Sequence, residues 1–480
     1  MPSPGRKSSA LFSKSFFIFI TRFFPSLANL LVMIWYSRYL PQAEYGEYQH
    51  FWVHLFIIYP VICFGIHVLI ITYPKAFIVG LFNKITTKHF ALYFAWATAL
   101  SGVFALLQHN AIGISFIVPF LFILCYSLTF IFESFLIVSG NYKCLIAVNI
   151  VYAAVFCTIH KYVLDHGFSL QELFLYLLIL TATRFLVYAG ITAANMKKPV
   201  QDIAIESLAG NTRSLWLHLG VYDILQVLFS YIDKFIISIV LTAQLSAIYY
   251  NGSQNIPFLP LLLSAAGSAV LIQLAAGKPH DEATDTILLM NYSGRILSCI
   301  VFPLFFFLLF FRNELIIGLL SEKYIAAIPV FLVATFVLPV RAYSFTTVLQ
   351  RQHKGNIINA GAIADILLAC LLMYPLYQWL GLPGVALSFV ITTYLQAAFY
   401  LFYSARLLGT SPLKLIPYAN WLIKLIIFAL LFIAVRYADD LYFPGKNMLT
   451  LVMGAVMVIM ATAVSLVIEF KMQRKDVSIS

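Results

Sequence analysis

The feature that most limits this chain is a recurring apolar run of about twenty residues, the length that crosses a bilayer's hydrocarbon as a helix. Fourteen runs are predicted, at 15–37, 49–73, 89–107, 113–138, 143–163, 171–194, 214–238, 247–276, 292–311, 325–346, 357–379, 384–405, 418–436 and 447–470; twelve is the alternative count. Composition agrees: 62% of the residues are hydrophobic, only 10% are charged, and the mean hydropathy is +0.92. That leaves too few polar side chains to cover a water-facing surface. Backbone polar groups in lipid must be satisfied internally, so runs of this length are helices. The predicted class is an all-α polytopic membrane protein.

Charge sets the orientation. With the N-terminus inside, the inner segments carry 20 Lys and Arg, the outer segments 7, and the runs themselves 3 (Arg22, Arg184 and Lys424). Such an excess marks the cytoplasmic side, so both termini are expected in the cytoplasm. It also accounts for the net charge of +11 without nucleic acid, which is not expected as a partner. The basic start, with Arg6, Lys7 and Lys14, precedes an apolar run too long for a signal peptide and lacking a small-residue cleavage site. It reads as an uncleaved first span. The six cysteines mostly lie inside apolar runs, where they act as small hydrophobes.

The longest loop, Met196 to Arg213, has about eighteen residues, too few for a folded catalytic module. The chain has no P-loop, dinucleotide fingerprint, HExxH or GxSxG elbow. The acidic pair Asp439-Asp440 reads as part of a late, short loop without supporting polar residues. The chain is therefore read as a transporter rather than an enzyme, with no cofactor and no metal.

A weak internal echo suggests how the spans are grouped. Leu40 to Tyr48, after the first run, returns 201 residues later as Leu241 to Tyr249, and Pro60 has a near counterpart in Pro260. The expected division is a six-helix lobe over 1–200, a second over 201–410, and two added helices with a tail over 411–480. Repeats of equal sidedness place a cavity between two lobes, with Met196–Arg213 as linker.

Polar groups within apolar runs are the candidate site. Arg22 lies in the first run, with Pro25 and Asn29 three and seven residues on, all on one helical face. An arginine at mid-bilayer costs about 2.5–3.5 kcal/mol. It therefore either snorkels or pairs, or it faces a cavity as an anion contact. Arg184, with Thr181 and Tyr188 on its face, is a second such candidate. Asp223 falls near Arg22 under the 201-residue offset and is a candidate for gating or for neutralising that charge. Asp365 and Glu133 are candidates for ion coupling or internal pairing. Asp233 and Lys234 are candidates for the cavity mouth. Lys424, in an added span, is expected to snorkel.

Three segments carry a family resemblance. Trp35-Tyr36-Ser37-Arg38-Tyr39-Leu40-Pro41 with Glu44-Tyr45-Gly46-Glu47-Tyr48 resembles an arginine-leucine exit and tyrosine-glycine turn. Tyr231 to Ile237 with Ala247-Ile248-Tyr249 is similar to an aspartate-arginine helix and its downstream tyrosine, and Leu319 to Ala327 to the segment before a tenth span. These are features of the polysaccharide biosynthesis and O-antigen flippases, within the multidrug/oligosaccharidyl-lipid/polysaccharide exporter superfamily. Pro41, Lys234 and Ser321 depart from that pattern, which has glycine, arginine and glycine there, so the subfamily stays open. The resemblance implies export of an undecaprenyl-pyrophosphate-linked oligosaccharide across a bacterial inner membrane by alternating access. It also implies partners among the polysaccharide polymerase and other assembly proteins, a coupling cation or proton, and Arg22 and Arg184 facing the diphosphate. A multidrug or organic-cation antiporter on the same fold is the alternative, distinguished by an acidic cavity; a scaffold without transport is a third reading.

Overall fold

Proline and glycine punctuation decides where these helices begin and end. In the computed structural model, which describes residues 4–196, 212–253, 282–352, 354–443, 445 and 447–479, α1 (Pro4–Tyr39) stops just before Leu40-Pro41 and α2 (Gln42–Cys63) starts directly after it. There follow α3 (Ile66–Thr72), α4 (Lys75–Lys84), α5 (Thr87–Ile112), α6 (Ile117–Val138), α7 (Tyr142–Asp165), α8 (Leu170–Met196), α9 (Thr212–Val240) and α10 (Ala243–Gly252). The later helices are α11 (Glu282–Phe310), α12 (Ile328–Thr335), α13 (Gly355–Leu380), α14 (Leu382–Leu407), α15 (Tyr418–Tyr442) and α16 (Asn447–Ile479). Among the described residues, 10 helices are long and apolar enough to cross a membrane, or 11 if α2 and α3 count as one bent span. The predicted eighth run beyond Ser253, most of the Met196–Arg213 segment, Pro260 and the side chains of Arg6, Lys7 and Lys14 lie outside what is described.

The chain divides into two compact units, Met1–Ala247 and Ile248–Ser480. In the first, α2 is buried on every side, through Tyr45, Tyr48, Phe51, Trp52 and Leu55, as an all-round apolar helix should be. It packs against α5, α6 and α9, while α1 lies along α7 and α6 along α8. Phe51 stacks on Phe174 with ring centroids 3.7 Å apart, and Phe104 and Phe122 meet it edge-on. The outer faces of α5 and α8 keep Leu92, Phe94, Leu106, Ile179 and Leu186 exposed, a surface suited to lipid.

The predicted second span is not one straight helix. Phe64 (φ 40°) and Gly65 (φ 69°) both adopt left-handed backbone, and α3 leaves at 60° to α2. Pro60 sits one turn before the break. Gly65 rests against the backbone of Leu219 and Gly220 of α9, where a β-carbon would collide, so glycine is required there for both conformation and space.

The sequence echo has a backbone counterpart. Leu40 N donates to Tyr36 O and Tyr45 N to Pro41 O, each at 3.0 Å. At the same 201-residue offset, Leu241 N donates to Ile237 O and Ser246 N to Thr242 O, each at 2.9 Å. The two helix entries meet: Gln244 Nε2 donates to Gln42 Oε1 at 2.9 Å, and Gly46 lies against the Ala243 carbonyl.

In the second unit, α11 is the core helix, packed by α15 and α16 through Phe302, Phe307, Phe311, Phe428, Phe432 and Leu451. α13 and α14 form a close antiparallel hairpin around Gly381 (φ 67°). The predicted tenth span stands as Glu322–Ala342 among the helices long and apolar enough to cross, though not as uniform α-helix: 3-10 turns at Glu322–Ala327 and Pro339–Ala342 flank α12, because Pro329 and Pro339 cannot donate the bonds of a continuous helix. Two expectations are corrected here. Asp439 and Asp440 lie in the last turns of α15, where Thr450 Oγ1 donates to Asp439 Oδ1 at 2.8 Å and Arg436 Nη2 pairs with Asp440 at 3.0 Å. Lys424 does not snorkel. It is buried, paired with Glu469 at 2.9 Å and donating to Arg295 O and Ser298 Oγ, because a carboxylate on the facing helix offers a better partner than the distant interface.

Candidate functional site

Proline at position 25 builds the site's first element. Its missing N–H leaves the Thr21 carbonyl of α1 without its helical partner. Asn149 of α7 supplies the replacement, its Nδ2 donating to Thr21 O at 2.8 Å. Ser26 Oγ donates to the next carbonyl, Arg22 O, at 2.8 Å. Beside Pro25, Arg22 and Asn29 are both exposed. Among the described residues Arg22 has no ion pair and no side-chain hydrogen bond. Its charge reaches Tyr59 of α2 and His67 of α3.

Arg184 sits in a different environment. Its Nη2 pairs with Glu133 Oε2 of α6 at 2.9 Å, with side-chain exposures of 11% and 8%. The guanidinium lies over the Tyr152 ring at 4.6 Å and the Tyr188 ring at 5.3 Å. Tyr188 Oη then donates to Asn149 Oδ1 at 2.9 Å. A continuous set of contacts thus runs from Glu133 through Arg184, Tyr188 and Asn149 to the kink beside Arg22. Guanidinium planes favour such stacked and paired sites.

The break between α2 and α3 carries the third element. Trp216 Nε1 of α9 donates to Phe64 O at 2.8 Å, fastening the left-handed turn. One turn along α3, His67 Nε2 stands 3.6 Å from Asp223 Oδ2 of α9. His67 Nδ1 and Asp223 Oδ2 are buried atoms without a hydrogen bond. Asp223 also acts on Tyr59, the residue that Arg22 reaches. Arg22 and Asp223 therefore serve one cluster, with His67 as the direct neighbour of the carboxylate.

Asp233 and Lys234 are both buried near the end of α9, Nζ to Oδ2 3.3 Å, with the ammonium 5.9 Å from the Tyr231 ring centre. In the second unit Asp365 of α13 is buried, and among the described residues neither carboxylate oxygen has a hydrogen bond. Thr392 of α14 and the exposed Arg341 are its polar neighbours. Among the described residues no group of three or more His, Cys, Asp or Glu has the geometry to hold a metal ion.

Two solved structures resemble the whole arrangement. A lipid II flippase MurJ in an inward closed conformation superposes with a TM-score of 0.64 at 14% identity, covering 93% of this chain and 97% of that one. A multidrug resistance MATE family transporter of the MOP superfamily, inward-facing, gives a TM-score of 0.52 at 13% identity, with coverage of 80% and 94%. Both likenesses are likenesses of fold. No family profile matches the chain, and no curated protein is similar to it.

Within this fold the predicted site residues separate into groups. Arg22 and Asn29 are exposed on α1, and Asp223 meets His67 at the α2–α3 break. Glu133 and Arg184 are each other's partners. Asp233 and Lys234 pair locally, and Asp365 belongs to the second unit. His67, Tyr59 and Asn149 escaped the sequence reading. Gly65 beside His67 in an apolar run was the available signal for the first, since an interior glycine followed by a titratable group marks a break.

Proposed function

We propose that the chain is a flippase for an undecaprenyl-pyrophosphate-linked oligosaccharide, moving it from the inner to the outer leaflet of a bacterial cytoplasmic membrane by alternating access. The observation that carries this reading is the accessible guanidinium of Arg22, unpaired among the described residues, in the apolar stretch of α1 beside Pro25. Such a charge earns its place when an anion visits it, and a planar fork matches a diphosphate. Asn29, two turns along the same face, offers hydrogen bonds to the sugar. Arg184 joins in when Glu133 releases it. The likeness to a lipid II flippase supports the cargo class. We assign fourteen spans with both termini cytoplasmic, lobes at 1–200 and 201–410, and added helices at 411–480. Asp365 and Asp223 are assigned to coupling or gating, Asp233 and Lys234 to the cavity mouth. A polysaccharide polymerase and other assembly proteins are the partners.

The test replaces Arg22 with Ala and quantifies lipid-linked intermediates in each leaflet. Accumulation on the inner leaflet at normal protein levels is the expected result; unchanged translocation removes Arg22 from the site. A second reading, an organic-cation antiporter, draws on the hydrogen-bond-free oxygens of Asp365 and Asp223. Asp365→Asn losing cation efflux while Arg22→Ala keeps it would favour that reading.

A further inference from the structure

The flippase reading assigns Asp223 to coupling or gating but makes no use of its pairing with His67. Its two groups come from separate elements, the short helix beyond the break and α9, and the break itself is fastened by Trp216. The 3.6 Å separation is too long for a made hydrogen bond and short enough for one proton to alter both groups. Each side chain is largely enclosed, with exposures of 13% and 19%, and each keeps a buried atom unsatisfied. Arg22 from α1 acts on His67, and Asp223 acts on Tyr59 and Cys63 from α2. Arg22 is the one permanent cation in that set. Phe130 of α6 closes one side of the His67 ring, with centroids 6.3 Å apart.

We propose that His67 and Asp223 form a one-proton site whose occupancy sets how strongly Arg22 holds an anion. This rests on Arg22 being the anion contact. Without the proton the pair carries one negative charge, which offsets the guanidinium. With the proton the pair is neutral, and the full charge of Arg22 faces the cargo. No bond to carbon, phosphorus or oxygen of the cargo changes; one proton enters from solvent as the anion binds and leaves when it departs. Linkage makes the effect reciprocal: the anion raises the proton affinity of the pair, and anion affinity falls as pH rises through the titration of the pair.

The experiment uses the full chain in lipid nanodiscs and a short-chain prenyl diphosphate sugar, a diester whose charges do not titrate near neutrality. Its affinity is measured between about pH 5.5 and about pH 8, the window a perturbed histidine or carboxyl spans. The wild type should lose about tenfold in affinity over that range, within the usual size of site coupling. Asp223→Asn, a neutral mimic of the protonated pair, should bind tightly and without pH dependence. His67→Gln should shift the midpoint to lower pH, because the proton loses half of its holding site. A pH-dependent Asp223→Asn protein, or an unmoved midpoint in His67→Gln, overturns the proposal. A separate infrared measurement follows the protonated carboxyl without any anion; its band should vanish in Asp223→Asn, and a band that persists there also overturns the proposal. If the probe binds neither wild type nor Arg22→Gln, the anion reading fails. Loss of the band in Asp223→Asn still supports the proton site in that case.

Discussion

Asn149 Nδ2 donates to the Thr21 carbonyl at 2.8 Å, the one carbonyl of α1 that Pro25 deprives of its helical donor. The proline-interrupted turn beside Arg22 is thus held by a side chain from α7. Both groups are fully buried, so no solvent replaces the bond.

Replacing Asn149 with Leu should lower stability by about 1–3 kcal/mol, the cost of a buried unsatisfied polar group. In a Pro25→Ala background the loss should shrink, because the restored N–H reaches the same carbonyl. Thermal unfolding of the four proteins in one detergent reads the coupling. Additive losses would show that Asn149 acts through Tyr188 alone.

The Arg184 and Glu133 pair sits among Tyr152 and Tyr188 with little solvent. Removing one partner strands a buried charge, so Glu133→Ala or Arg184→Ala alone should cost about 3–5 kcal/mol. The double change to Leu and Met should recover most of that. Denaturation midpoints provide the measurement, and equal damage from single and double changes would contradict it.

Gly65 joins a positive φ to backbone contact with Gly220. Gly65→Ala should destabilise by more than about 1 kcal/mol through strain and collision together. Ala at Gly113, also at positive φ but facing open space, should cost less. The difference between the two melting temperatures isolates the collision.

The Gln42 and Gln244 contact joins the two echoed helix entries. If these entries separate during the cycle, cysteines at both positions bridged by a short bifunctional thiol reagent should arrest translocation. A cleavable reagent should restore it on reduction. Full activity in the bridged protein would show that this contact persists throughout transport.

The runs were legible because hydrocarbon imposes one length on every span. The predicted 143–163 became Tyr142–Asp165, and 384–405 became Leu382–Leu407. The same logic exposed Arg22, Arg184 and Asp365, since a charge in an apolar run stands out without any partner. It could not assign partners. Glu133 and Arg184 lie 51 residues apart, and Lys424 finds Glu469 on another helix. Helical periodicity relates only residues a turn or two apart.

Sequence alone determined that this chain is a polytopic helical membrane protein, because apolar length and loop charge are local properties summed along the chain. Only tertiary structure decided which charges are neutralised. It set Glu133 against Arg184 and, among the described residues, left Arg22 without a counter-ion. It also broke the second span at Phe64 and Gly65, where contact with α9 selects the left-handed turn. Those outcomes depend on which helix faces which, and helix packing is chosen by complementary surfaces that no single run contains.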